Sequence, residues 1–585
     1  MNILGISDVT GNHSHSCIGI LQEGQLTFAL SQERVSRVKN DSRFPTQAIE
    51  TALDYTRLTF NDIDHFACAY PPANYYGSLL HDNPWDVPRA FIGVIRRKPF
   101  TLFRYLLTNI PKGLFDPKSS NGLFDLGVPE KEFGFYDHHL SHVYAGYLSS
   151  GFDQALAISY GGFAPHRDGQ NVAGAIYLCQ GDEITFIDDI PMPATGCYYS
   201  GVSVALGFQY MAQEGKTMGL AKTVDPGLCY DDIKQLTTQF QNGHWQKYPN
   251  WVDYIMSPRR DVFLNTQSGR QLLQLIHRFG AAAVAAAAQQ VWKVNIVALV
   301  QHYLERFKVT NLVLSGGTFL NVQINRTLAE LPGVKQIFAH PHTGDGSTTI
   351  GAMLLAHQRI TGETARLDLS DMGLGLDYDD DSIEKIIHSF SNQVEFTKRK
   401  NPAKYAAEQL AAGKIIGWFQ GREEYGQRSL GHRCLLGDPR NEHMKKKMTV
   451  EVKGRDEWIP IAPSVLAEHG HDYFNNFINS PFMTRVYRVR STKKAAIPGA
   501  LHSDGTARAQ AVDKNFYAPF RHLIEHFFKL TNTPMLLNTS LNRHGEPIVH
   551  RPEEAIRLLL DTSMDGLVIG SFSLQKKSQH SKNSK

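Results

Sequence analysis

Three groups of residues have types and spacings suited to chemistry. The run His138-His139-Leu140-Ser141-His142 places two imidazoles four residues apart. On a helix, His138 and His142 would share one face with Cβ atoms ~5–6 Å apart. Two imidazoles so placed can chelate a divalent metal if a carboxylate completes the set and leaves positions open. Asp345, in a Gly-Asp-Gly turn between an expected strand and helix, is the candidate carboxylate. The alternative is a histidine-rich helix start whose rings cap and pack. His13, with His15, falls in the loop after the first expected strand. Ligands bind at such strand ends in α/β sheets, and a histidine there could serve as general base.

The third group is the stretch from Gly421 to Arg433, GREEYGQRSLGHR. Its glycines allow close backbone approach, and Arg422, Arg428 and Arg433 offer forked donors suited to phosphates. Lys453 and Arg455 add two cations downstream, and Asn538 and Ser540 add neutral donors after an apolar run. Together they suggest an anionic, phosphorylated ligand; a solvated Arg/Lys face is the alternative. The segment EGKTMGLA (214–221) resembles a phosphate loop but has Tyr210 where a Walker loop needs glycine. Lys216 there could still meet a phosphate or an acceptor as a point charge.

These residues need elements to hold them. Asn2–Ser7 reads as a buried strand, followed by a polar loop, the run Cys17–Leu21, a turn at Glu23-Gly24, and the run Leu26–Leu30. A similar order recurs about 150 residues on: Ala155–Ser159, a loop, Ala173–Leu178, a turn at Gly181-Asp182, then Ile184–Ile187. The repeat suggests a duplicated α/β unit. Residues 278–308, rich in alanine and free of proline, predict a buried helix. Strand–loop–helix steps follow at 311–317 and 336–348, with small residues in each loop, as in an α/β sheet. An acidic run (Asp377, Asp379, Asp380, Asp381) marks a boundary near 360–400, after which KIIGWF (414–419) opens a second module. The expected division is 1–360, with an insertion at about 72–130, then 361–574, then a disordered basic tail over 575–585. Residues 88–113 carry six cations and no acid among aromatic and aliphatic residues. They read as a helical insertion with solvated arginines, or as a stretch that meets a membrane surface or an acidic acceptor.

Composition sets limits. The 60 Lys+Arg against 57 Asp+Glu give a net charge of +3 over 585 residues, which argues against a globally electrostatic nucleic-acid binder. The 42% hydrophobic content suits a large core. No apolar run is expected to approach the ~20 residues that cross a bilayer. The N-terminus lacks signal-peptide features, and six scattered cysteines without a CxxC pair fit reduced thiols, so a cytoplasmic protein without stable membrane insertion is expected.

Eight motifs in order resemble the O-carbamoyltransferase family of antibiotic and nodulation-factor biosynthesis. They are SQERVSRVKND (31–41), HHLSH (138–142), EGKTMGLA (214–221), SGGTFLNV (315–322), HTGDGS (342–347), GWFQGREEYGQRSLGHR (417–433), VKGRDEWIPIAPSV (452–465) and TPMLLNTSLNRHGEPIV (533–549). The resemblance implies a duplicated actin-like (ASKHA) domain followed by a YrdC-like α/β domain. The second module would form carbamoyl-adenylate and pyrophosphate from carbamoyl phosphate and ATP with Mg²⁺. The first would pass the carbamoyl group to a hydroxyl of a small-molecule natural product. His138, His142 and Asp345 would hold iron, with zinc as the alternative. His13 would be the base or orienter for the acceptor, and Gly317 and Asn321 would lie along the nucleotide. Arg422, Arg428, Arg433, Lys453, Arg455, Asn538 and Ser540 would bind carbamoyl phosphate and ATP. A homodimer is admitted as a further partner. The sequence departs from the family pattern at Tyr160, in place of an aspartate, and at Asn40, Gln427 and Ile459. Tyr160 and Ile459 keep open a non-catalytic nucleotide-binding homologue; a third reading, ranked last, is an actin-like kinase or ATPase.

Overall fold

The computed structural model describes residues 1–7, 16–69, 133–166, 170–192, 195–246, 248–457, 459 and 461–577. The expected insertion at 72–130, the basic stretch 88–113 and most of the expected tail lie outside the described residues. The chain divides into two compact units, Met1–Gln32 with Asn40–Asp368, and Glu33–Lys39 with Leu369–Lys585.

The first unit holds two five-stranded sheets. One comprises β1 (Asn2–Ile6), β2 (Cys17–Gln22), β3 (Gln25–Ser31), β4 (His65–Cys68) and β5 (Phe133–Phe135), in the order β3-β2-β1-β4-β5. The other comprises β6 (Gln154–His166), β7 (Gln170–Gln180), β8 (Glu183–Pro191), β9 (Asn311–Ser315) and β10 (Gln336–Ala339), in the order β8-β7-β6-β9-β10. Their strand directions also match. The first strand of each pairs antiparallel with the second and parallel with the fourth. The second pairs antiparallel with the third, and the fourth parallel with the fifth. The repeated strand pattern in the sequence is thus a repeated topology. At the first hairpin, Glu23 and Gly24 both have positive φ, 48° and 74°. That pair matches the tight turn whose twist suits antiparallel strands.

Two helices form the layer that matters for the site. Helix α1 (His138–Leu148) packs on β6 and β9 of the second sheet and against helix α5 (Gly346–Thr361). Helix α5 in turn packs on β1, β2 and β4 of the first sheet. Between them in sequence come α2 (Glu214–Leu220), α3 (Ala281–Phe307) and α4 (Val322–Ala329). Asp137 starts α1 by accepting the Leu140 N–H at 2.7 Å. Every residue of α1 except Leu140 is buried. The crossing of α1 and α5 depends on Gly351, where an added Cβ would lie 1.7 Å from the Ser141 carbonyl oxygen.

Helix α3 begins after Gly280 (φ 86°), slightly later than the alanine-rich pattern predicts. By length and composition it is apolar enough to cross a membrane, against the expectation that no stretch comes close. Within the unit, 67% of that stretch is buried, as in a core helix. None of the six cysteines forms a disulfide, and all are buried.

The second unit is built on an eight-stranded mixed sheet. Its strands are β11 (Val394–Lys398), β12 (Ile416–Phe419), β13 (Arg433–Gly437), β14 (Ala462–Leu466), β15 (Gln510–Val512), β16 (Met535–Ser540), β17 (Gly566–Ile569) and β18 (Phe572–Lys576). The order is β11-β18-β17-β12-β13-β16-β14-β15. Helices α6 (Pro402–Ala411) and α7 (Ala518–Thr531) pack together, and α8 (Pro552–Asp561) packs on β12 and β17. Strand β18 corrects one expectation. Gln575 and Lys576, read from sequence as the start of a disordered tail, pair with Glu395 and Val394 of β11. Polarity at the end of a strand resembles the polarity of a tail, and the pairing that distinguishes them is not local.

Replacing Gly351 by valine is expected to lower the stability of the first unit by about 1–3 kcal/mol, the usual range for overpacking. Denaturant titration checks this; a wild-type midpoint would mean that α1 and α5 have slack at their crossing.

Candidate active site

In the first unit the fold brings the predicted metal set together. His138 and His142 lie one turn apart on α1, and Asp345 precedes α5. One ligand atom from each lies within 4.8 Å of the others. Asp345 Oδ1 is 3.9 Å from His138 Nε2 and 3.8 Å from His142 Nε2. Although it occupies the N-cap position of α5, the Asp345 side chain makes no capping bond to the helix. The two imidazoles are buried and the carboxylate is 23% exposed.

The His142 tautomer follows from its neighbour. Ser347 Oγ donates to the Gly344 carbonyl at 3.1 Å and lies 2.8 Å from His142 Nδ1. With its proton so directed, Ser347 accepts from Nδ1–H, which leaves the Nε2 lone pair facing Asp345. The middle histidine of the motif faces elsewhere: His139 Nδ1 meets Ser159 Oγ at 2.9 Å. Behind the set, burial holds the His340 imidazole neutral, its pKa pushed down to about 3. Two imidazoles, one carboxylate and an outward-facing side fit a divalent ion with open coordination positions.

The other predicted residues of this unit lie on other elements. His13 lies outside the described residues. Lys216, on α2, has its ammonium 5.7 Å from the Phe208 ring centroid. Two residues earlier, the half-buried Glu214 accepts from Ser200 Oγ and Met211 N–H, and partial burial raises its pKa. Gly317 opens a short turn after β9. Its neighbour Gly316 (φ 96°) lets the turn lie against β6, where an added Cβ would sit 2.4 Å from the Tyr160 carbonyl oxygen. Tyr160, the departure from the family pattern, is wholly buried. Asn321 caps α4, accepting from Gln323 and Ile324 N–H and donating to Gln289 Oε1 at 2.8 Å.

In the second unit the arginines read as one set divide in two. Arg433 is fully buried over the Phe419 ring, 3.6 Å from its centroid, and donates to the carbonyls of Gln420 and Leu376. Arg422 donates to the carbonyls of Gly375 and Leu374. These two hold the loop 420–432 between β12 and β13.

Arg428 and Arg455 are different, and a third residue, Arg508, joins them. Burial lowers the Arg428 pKa; burial and then Arg428 pull Arg455 down to about 10. Burial, Arg428 and Arg455 push Arg508 well below its ordinary value. Among the described residues, no carboxylate offsets these shifts. The Nε atoms of Arg455 and Arg508 are buried without a hydrogen-bond partner. Mutually repelling, incompletely bonded guanidiniums form a place for an anion. Nothing in the local sequence around Arg508, TARAQ, marks it; proximity arises only when β15 pairs with β14.

The remaining predicted residues brace this cluster. Asn538 on β16 donates to the Ser429 carbonyl (3.1 Å), Ser464 Oγ (3.0 Å) and Gln510 Oε1 (3.2 Å), tying three segments together. Gln510 Nε2 also reaches the Leu430 carbonyl at 2.8 Å. Lys453, 2% exposed, donates to Ser540 and to Asn542 Oδ1, with burial and then Arg455 pushing its pKa well down. Glu424 Oε1 accepts the N–H groups of Leu430, His432 and Arg433 at 2.9–3.0 Å. Burial would raise its pKa, but His432, the Arg433 N–H and nearby arginines hold it below the usual value.

A carbamoyltransferase N-terminus model matches residues 104–354, and a carbamoyltransferase C-terminus model matches residues 407–576. The chain belongs to the carbamoyltransferase family and is an enzyme of that class. Nodulation protein NolO of Bradyrhizobium diazoefficiens is 30% identical, over 75% of this chain and 79% of that protein. Nodulation protein NolNO of Sinorhizobium fredii is 29% identical, over 97% of this chain and 80% of that protein. The uncharacterized protein sll1178 of Synechocystis is 29% identical, over 99% and 97%.

Replacing Ser347 by alanine is expected to weaken Zn²⁺ or Fe²⁺ binding roughly 10–100-fold, the usual cost of losing the partner that orients a metal-binding histidine. Competition with a chromophoric chelator measures it. Unchanged affinity would show that Ser347 does not set the His142 tautomer.

Proposed function

We propose that this carbamoyltransferase is an O-carbamoyltransferase using ATP and carbamoyl phosphate, with a duplicated actin-like module followed by a YrdC-like module. The observation that carries the reading is the cluster of Arg428, Arg455 and Arg508, which lacks an offsetting carboxylate among the described residues. Such a cluster suits a phosphorylated substrate. The matched strand orders of the two sheets in the first unit support the duplicated module.

In the second unit, the arginines would hold the phosphate of carbamoyl phosphate while Lys453, Ser540 and Asn538 keep their loops in place. Carbamoyl phosphate breaks down to species that water consumes, so a partly buried site has a protective role. Atom balance of adenylate formation requires one water. Carbamoyl phosphate gives carbamate and orthophosphate, the carbamate oxygen bonds to the α-phosphorus of ATP, and pyrophosphate leaves with Mg²⁺. In the first unit an acceptor hydroxyl then attacks the carbonyl and AMP departs, with His13 as candidate base. Gly317 and Lys216 are candidates for contacting the adenylate. A divalent ion, iron or zinc, held by His138, His142 and Asp345 would supply positive charge to phosphate or carbonyl oxygens. The acceptor is proposed to be a small-molecule natural product bearing a hydroxyl.

Incubation with ATP, Mg²⁺ and carbamoyl phosphate is expected to release pyrophosphate, and omission of carbamoyl phosphate to abolish that release. Arg508→Ala should slow the release roughly 10²–10³-fold, the scale for removing one charge-stabilising donor. His138→Ala should spare pyrophosphate release and block transfer to the acceptor. Release of ADP and orthophosphate from ATP without carbamoyl phosphate would favour a kinase-like enzyme instead.

A further inference from the structure

Arg34 belongs to the short segment Glu33–Lys39, which interrupts the first unit in sequence but is part of the second. Its side chain is 2% exposed. One guanidinium nitrogen, Nη2, donates to the carbonyls of Gly426 (3.0 Å) and Glu424 (3.3 Å), some 390 residues away in sequence. The other, Nη1, lies 3.7 Å from Glu423 Oε2, a buried carboxylate that also meets His550 Nδ1 at 2.7 Å. A planar fork can serve two carbonyls and a carboxylate at once, whereas an ammonium cannot reproduce that arrangement.

These contacts fall on one side of Arg428. Arg34 fixes residues 424–426, while Glu424 Oε1 gathers the N–H groups of residues 430, 432 and 433 on the other side. Only Gln427, Arg428 and Ser429 lie between the two clamps, and the Ser429 carbonyl is itself held by Asn538. Gly426 has φ 123°, so the chain turns two residues before Arg428 in a conformation that its own preferences do not enforce. An outside clamp at that turn decides where the Arg428 guanidinium sits.

We propose that Arg34 is a positioning residue for the phosphorylated substrate: it clamps the 424–426 backbone so that Arg428 is held beside Arg455 and Arg508. This rests on reading those arginines as the anion site. Arg34 touches no reacting atom and acts through Arg428 alone.

Inorganic phosphate, titrated calorimetrically into the full-length protein, tests it without requiring turnover. Arg34→Lys keeps the charge beside Glu423 but loses the fork, and should weaken phosphate binding roughly tenfold, within what a displaced binding group costs. In an Arg428→Ala background the same change should alter affinity less than twofold, because nothing remains for Arg34 to position. A merely structural role would give the same loss in both backgrounds and would overturn the proposal. So would Arg34→Lys binding phosphate within twofold of wild type. If the wild-type protein itself fails to bind phosphate, the anion-site reading falls and this proposal with it, a different result from the other two. If Arg34→Lys does not fold, hydrogen exchange of the unaltered protein reads the same link. Phosphate should slow exchange at 33–36 as well as at 424–430, and slowing at 424–430 alone would overturn it.

Discussion

Like charges gathered in a half-buried place raise the free energy of a fold until an anion joins them, and the second unit is organised around such a gathering. Arg428, Arg455 and Arg508 depress or share depressed pKa values, with burial as the leading cause and mutual repulsion adding to it at Arg455 and Arg508. Backbone left free would let them part. The surroundings prevent that. Asn538 ties the Arg428 loop to β14 and β15, and Gln510 ties the strand after Arg508 back to Leu430. Arg433 and Arg422 anchor the base of the loop through carbonyls, and Glu424 collects three N–H groups within it. Much of the polar interior of this unit keeps unfavourable neighbours in place, as preorganisation for the proposed phosphorylated substrate would require.

The first unit solves a different problem, holding two histidines and a carboxylate on separate helices at a fixed separation. The histidines come from one turn of α1 and the carboxylate from the start of α5, so their distance is set by how closely the helices cross. Gly351 against the Ser141 carbonyl sets that limit. Ser347, two residues after Asp345, orients His142, so one turn of α5 supplies both the carboxylate and the group that fixes the imidazole. The same region of sequence does two jobs because the N-terminus of α5 points at α1.

The grouping of His138, His142 and Asp345 was legible in the sequence because a four-residue spacing on a helix is local, and the Gly-Asp-Gly turn marked a strand end. The strand repeat was legible for the same reason, as alternating apolar runs and turn residues. The arginines were less so. Arg422, Arg428 and Arg433 look alike in sequence, but the first and last turn their guanidiniums onto backbone carbonyls, and only the middle one joins the charge cluster. Whether an arginine is a strut or a ligand depends on which carbonyls the fold brings within reach. Arg508 was missed altogether, and Arg34 stood within the motif at 31–41 without a role of its own. Each depends on contacts between segments distant in sequence, and neither stands among glycines that would draw attention to it. His13 lies outside the described residues, so its place near the acceptor rests on its motif alone.

In the proposed reaction the second unit joins a carbamoyl group to AMP. Carbamoyl phosphate carrying ¹³C at its carbonyl, incubated with ATP and Mg²⁺ and followed by ¹³C and ³¹P NMR, tests this most directly. The expected result is a carbonyl signal coupled to the phosphorus of AMP, formed together with pyrophosphate and orthophosphate. Label appearing only as carbamate and bicarbonate, with ATP intact or converted to ADP, would contradict it.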